Sequence, residues 1–67
     1  MEASRIGRRI RAFRKLKRIQ QIEMAKQINV SVTVLGRIER GEKIPEQTTL
    51  VKIAEVLQID IEELIGE

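Results

Sequence analysis

Cysteine and histidine are both absent from this 67-residue chain. Their absence excludes disulfides, Cys/His zinc sites, a thiolate nucleophile and an imidazole base, and with them most catalytic chemistry. Tryptophan and tyrosine are missing too, and Phe13 is the single aromatic. The aromatic stacking surface of the common RNA-binding modules is therefore lacking. No apolar run is longer than two residues, whereas a membrane span needs about 20 and the core of a secretory signal about 7–15. A soluble, cytoplasmic protein is expected. The remaining acids that could serve catalysis, Glu23, Glu39, Glu42, Asp60, Glu62 and Glu63, are scattered along the chain, so neither an enzyme nor a metal or other cofactor is expected.

What is present is 42% apolar and 34% charged, a balance that suits a small aliphatic core rather than a disordered tail. The length allows one domain, taken as residues 1–67. A chain this short buries only about 60% of its unfolded surface, which makes marginal stability or dimerisation unsurprising.

The charge is unevenly spread. Residues 1–18 hold eight basic side chains (Arg5, Arg8, Arg9, Arg11, Arg14, Lys15, Lys17, Arg18) against Glu2. Residues 46–67 carry Glu46, Glu55, Asp60, Glu62, Glu63 and Glu67 against Lys52. Such polarity suggests one face for a polyanion. A basic membrane-surface helix is the rival, but that would leave its apolar face free for lipid, and here the apolar stripe is needed for a core.

Ile6, Ile10, Phe13 and Leu16 recur at helical steps, which predicts a first helix from about Ile6 to Lys17 with Ser4 as its N-cap. Most of its arginines point away from that stripe, and Arg9 lies at the apolar edge. A second helix from about Gln21 to Ile28 would bury Met24, Ala25 and Ile28, with Asn29 at a left-handed C-terminal position. Ser31 is placed to cap a third helix over Val32 to Arg40 that buries Leu35 and Ile38 and stops at Gly41. The alternation from Val30 to Val34 is the one competing strand signal, and the helical spacing of Leu35, Ile38 and Gly41 outweighs it. After a loop ending at Pro45, Leu50, Ile53, Ala54 and Leu57 mark a fourth helix from about Gln47 to Leu57 or Gln58. Val51 and Val56 widen its apolar face, and Thr48 or Glu46 is its cap. Asp60 and Glu63 have capping-box spacing for a short fifth helix through Ile65. The expected fold is all-α, with five helices.

Two short helices joined by a three- or four-residue turn have the dimensions of a helix-turn-helix, here about residues 21–40. Ala25 lets the helices approach, Asn29 turns the chain, and Leu35 and Ile38 lock the second helix onto the first. Beyond these features the sequence resembles the Cro and lambda-repressor-like regulators, the XRE family. The resemblance runs from about Ile6 to Leu64. It rests on Ile6-Gly7-Arg8-Arg9-Ile10-Arg11, Gln21-Ile22-Glu23-Met24-Ala25, Val30-Ser31, Arg37-Ile38-Glu39-Arg40-Gly41, Pro45, Leu50-Val51-Lys52-Ile53-Ala54 and the closing segment Leu57 to Leu64. Of these, the Arg-Ile-Glu-Arg-Gly string at its distance after Ala25 is the most specific.

The resemblance implies a compact five-helix domain whose third helix lies in the major groove of double-stranded DNA while the second crosses the backbone. Carried over by position, Val32, Thr33, Gly36 and Arg37 would face bases. Gln21 would present its backbone N–H to a phosphate and steady the reading surface with its side chain. Arg40 and Lys43 would meet phosphates, and Arg11 and Arg14, on the outward cationic face of the first helix, would join them. Arg37→Ala is then expected to relax preference at one base pair, and Arg14→Ala to weaken all duplexes alike. Glu39 reads as structural. The chain departs from the family pattern at Gln20, a poor cap, at Asn29 in place of Gly, at Ile22 in place of a surface glutamate, and at Val32 and Gly36, which thin the polar reading surface.

A transcriptional regulator, bacterial or phage in type, follows as the expected function, and a homodimer is expected with Ile61 and Ile65 as candidate seam residues. No small-molecule effector is expected, since the domain leaves no residues to form an effector pocket. The alternative is a diverged helix-turn-helix that docks a protein partner through exposed Ile22, Val32 and Val34.

Overall fold

The chain folds into α1 (Ala3–Leu16), α2 (Gln21–Gln27), α3 (Val32–Glu39), α4 (Gln47–Leu57) and α5 (Glu62–Ile65). The structure is a computed structural model and describes residues 2–66. No described helix is long and apolar enough to cross a membrane.

Each helix contributes one buried stripe. Ile6 and Ile10 come from α1, Met24 and Ala25 from α2, and Leu35 and Ile38 from α3, while Leu50, Ile53, Ala54 and Leu57 come from α4 and Leu64 from α5. Ile28, just past α2, completes the cluster, and Phe13, Val34, Val56, Ile61 and Ile65 pack around it half-buried. α1 touches α3, α4 and α5, and α2 touches α3 and α4, so the helix-turn-helix rests on α1 and α4, with α5 packed against α1. Gly7 allows the α1–α3 approach: a methyl there would come within 2.7 Å of the Glu39 carbonyl oxygen and closer still to that of Ile38.

The turns follow one device. At Arg18, Asn29, Gly41 and Gln58 the backbone takes positive φ values of 60°, 61°, 78° and 58°. After each, an N–H bonds back to the last turn of the preceding helix: Ile19 to the Arg14 carbonyl at 3.0 Å, Val30 to Ala25 at 3.0 Å, Glu42 to Arg37 at 2.9 Å and Ile59 to Ala54 at 3.1 Å. These are Schellman closures, in which the residue after the left-handed one commonly adds an apolar contact. Ile19, Val30 and Ile59 make that contact with the core.

Several expectations about ends and edges are corrected. Glu2, not Ser4, occupies the N-cap of α1, and Ser4 sits inside the first turn with its hydroxyl donating to the Glu2 carboxylate. Leu16 is 73% exposed, because the chain reverses at Arg18 and Ile19 takes the apolar position instead. Val51 is 41% exposed and does not widen the buried face of α4. The Asp60–Glu63 capping box does not form: α5 starts at Glu62 without a side-chain cap, and the Glu63 N–H bonds to the Asp60 backbone carbonyl at 2.9 Å. Arg9, by contrast, lies at the apolar edge as its periodicity predicts: it is half-buried and donates to the carbonyls of Leu64 (3.2 Å) and Gly66. It thereby ties the end of α5 to α1.

Candidate nucleic-acid interface

Ser31 sets where α3 begins. Its Oγ accepts from the Val34 N–H at 3.1 Å, satisfying one of the free donors of the first turn. With Leu35 and Ile38 fully buried, helical geometry turns Val32, Thr33 and Arg37 to the outside, and all three are exposed. Val34, expected on the exposed face, is half-buried against the core. That correction leaves Ile22 (55% exposed) and Val32 (40%) as the exposed members of the apolar trio Ile22, Val32 and Val34.

Beneath the exposed face lies a buried ion pair. Arg14 of α1 reaches α3, where its Nε donates to Glu39 Oε2 at 2.7 Å and its Nη2 to Oε1 at 3.0 Å. The remaining Nη1 donates to the Ile19 carbonyl at 3.0 Å. The two side chains are only 9% and 3% exposed. Gln21, the first residue of α2, adds a third bond from Nε2 to Glu39 Oε1 at 3.1 Å. One carboxylate therefore fastens three helices, and it fixes the N-terminus of α2 relative to the exposed face of α3. Glu39 is structural, as its sequence context suggested.

Two expected contacts are revised by this geometry. Arg14 is not an outward phosphate ligand, since its guanidinium is buried and bonded to Glu39 and Ile19. Gly36 is buried rather than open to base edges: a Cβ there would lie 3.1 Å from Arg40 Nη1 and 3.7 Å from Gln21 Nε2. It forms the floor on which the Arg40 guanidinium rests. Arg11, Arg14, Gln21, Gly36, Glu39 and Arg40 line one cleft of about 310 Å³, bringing together five of the nine residues expected at the site. Val32, Thr33 and Arg37 lie on the exposed face of α3, and Lys43 is exposed in the loop after it.

One residue of the site carried no role in the sequence reading. Glu42, just past the α3 closure, accepts from Arg40 Nε at 2.9 Å and lies 4.0 Å from Arg37 Nε. The Arg40 hydrogen bond and, after it, the Arg40 charge hold the Glu42 carboxyl below the usual carboxylate range. The same contact pushes Arg40 above its ordinary value. Both groups are solvent-exposed, so the pair is screened and weak.

This arrangement has known counterparts. The helix-turn-helix family model matches residues 10–64, and the chain belongs to that family, in its Cro and lambda-repressor-like branch. It is 50% identical over 64 residues to the uncharacterized HTH-type transcriptional regulator YazB of Bacillus subtilis (strain 168), covering 96% of this chain and 93% of that protein. Among solved structures, the P22 c2 repressor in complex with a synthetic operator superposes with a TM-score of 0.83 at 33% identity, covering 92% of this chain and 96% of that one. SinR, the master regulator for biofilm formation, solved in complex with DNA, gives 0.84 at 32% identity, covering 91% and 98%.

Proposed function

We propose that this chain is a cytoplasmic transcriptional regulator that binds double-stranded DNA with α3 in the major groove. The observation that carries the reading is the exposed face of α3 held by the buried Arg14–Glu39 pair, to which Gln21 is hydrogen-bonded. In this reading Arg37 pairs with a guanine edge, a bidentate contact worth about 1–3 kcal/mol of discrimination, and Val32 and the Thr33 methyl meet thymine methyls. The Gln21 N–H, at the free N-terminus of α2, receives a phosphate, and Arg11, Arg40 and Lys43 neutralise its neighbours. The solved complexes of the P22 c2 repressor with an operator and of SinR with DNA support the DNA-binding reading by analogy of fold.

The domain measures 28 Å along its longest axis, whereas successive half-sites on one face of DNA lie about 34–36 Å apart. Two half-sites therefore require two copies, and the functional unit in this reading is a homodimer on DNA. Fluorescence anisotropy of the purified protein against a random duplex of about 30 base pairs, from about 50 to 200 mM salt, tests the proposal. A steep linear loss of log K with log salt, equivalent to several released counterions, is the expected result. Absence of binding at low salt contradicts it and favours protein docking through Ile22 and Val32.

A further inference from the structure

Four of the eight arginines have an internal partner. Arg14 binds Glu39, Arg40 and Arg37 share Glu42, and Arg9 binds the α5 carbonyls. Of the basic side chains without one, Arg8, Arg11 and Lys15 share one groove. They sit three and four residues from one another on α1, all three are exposed, and among the described residues none makes an ion pair or a side-chain hydrogen bond. With Ala12 between them and Glu39 at the edge, they line an open groove of about 490 Å³. Glu39 is already neutralised by Arg14, so nothing in the groove offsets its three positive charges.

Like charges at these helical steps destabilise a helix. The arrangement is therefore a small burden on folding, eased at Arg8 by the nearby Glu2 charge, and an external polyanion would relieve the rest. Location identifies the polyanion. Arg11 and Glu39 line both this groove and the cleft beside Gln21 and Arg40, so the groove continues the track on which the proposed phosphate contacts lie.

We propose that the outer face of α1, through Arg8, Arg11 and Lys15, is a second DNA-backbone contact that extends the footprint beyond the helix-turn-helix. The inference rests on the DNA-binding reading and deepens it. It gives the domain sequence-independent affinity where α3 is thin in polar side chains. The contact ignores sequence, because phosphates carry no base identity.

The test compares Arg8→Gln/Lys15→Gln and Lys15→Gln with wild type in the anisotropy titration, alongside thermal melts and Lys52→Gln on α4 as the charge-matched control for the single variant. Removal of two phosphate contacts is expected to make the slope of log K against log salt shallower by about 1.8, so the wild-type advantage shrinks about twelvefold between about 50 and 200 mM salt. The loss is equal on every duplex, the melting temperature is unchanged or raised, and Lys52→Gln leaves the slope at the wild-type value. An unchanged slope in the double variant while wild type binds steeply overturns the α1 contact and leaves the α3 reading standing. A flat slope in wild type removes the DNA reading itself, and the α1 contact with it. Should the double variant fail to fold, Lys15→Gln alone carries the test, with an expected shift of about 0.9.

Discussion

Arg14–Glu39 and Arg40–Glu42 are the same chemical pair in two settings. Their closest N···O distances are nearly equal, 2.7 and 2.9 Å, but the side chains of the first are 9% and 3% exposed and those of the second 60% and 51%. The difference lies in what happens when a partner is lost. In the buried pair the survivor keeps a charge that water cannot reach, at a cost of about 3–5 kcal/mol. In the exposed pair water and salt replace the partner. The first pair therefore holds the three helices in register, while the second leaves Arg40 able to exchange a carboxylate for a phosphate.

The largest expected effect tests the buried side of this contrast. Glu39→Ala should lose about 3–5 kcal/mol in denaturant unfolding, a large share of the roughly 3–10 kcal/mol that a domain of this size holds in total. Replacing both partners, as in Glu39→Ala with Arg14→Met, should cost clearly less than the sum of the single changes, since no orphaned charge remains. Simple additivity would mean that the two groups do not act as a pair. Arg14→Ala is accordingly a folding variant, and its DNA binding should fail through loss of structure rather than through one missing phosphate contact.

The smallest expected effect tests the exposed side. Glu42→Gln should leave the melting temperature unchanged, because the pair is solvent-exposed and screened. It should also steepen the salt dependence of DNA binding by about 0.9 in log–log slope, as Arg40 becomes free to release one more counterion. A drop in affinity would show that Glu42 aids binding instead of competing for Arg40. The sign with pH follows from its lowered value: any stabilisation from the pair is present above the ordinary carboxylate range and lost as pH falls through the folded-state value. Near neutral pH the Glu42→Gln effect should therefore be flat.

The buried stripes were legible because aliphatic residues at helical spacing have one way to bury together, and Asn29, Ser31 and Gly41 marked their own backbone roles. Arg18 and Gln58 did not, since neither residue type favours a left-handed conformation. The signal lay one residue later, in Ile19 and Ile59, whose apolar contacts seal the turns. Leu16 continued the stripe of α1 in sequence, but the turn at Arg18 took its place in the core away. At the site, Val32, Thr33 and Arg37 followed from the helix start and the buried positions of α3. Arg14 could not be placed by periodicity, because its burial depends on Glu39, which lies 25 residues away along the chain. Gly36 looked like a missing side chain, but the arrangement of Arg40 and Gln21 over it makes its small size useful. Gly7 appeared only as part of a family string, and its reason emerges where α1 crosses the end of α3.

The most direct test of the central claim, that a rigidly held α3 reads bases through Arg37, is binding of wild type and Arg37→Ala to a duplex selected from a random library. It is repeated with each base pair of that duplex replaced in turn. The account predicts that Arg37→Ala keeps its fold and loses about 1–3 kcal/mol of discrimination at one base pair, with preference elsewhere intact. Equal weakening on every duplex, with no position relaxed, would contradict base readout and leave Arg37 as one more phosphate contact.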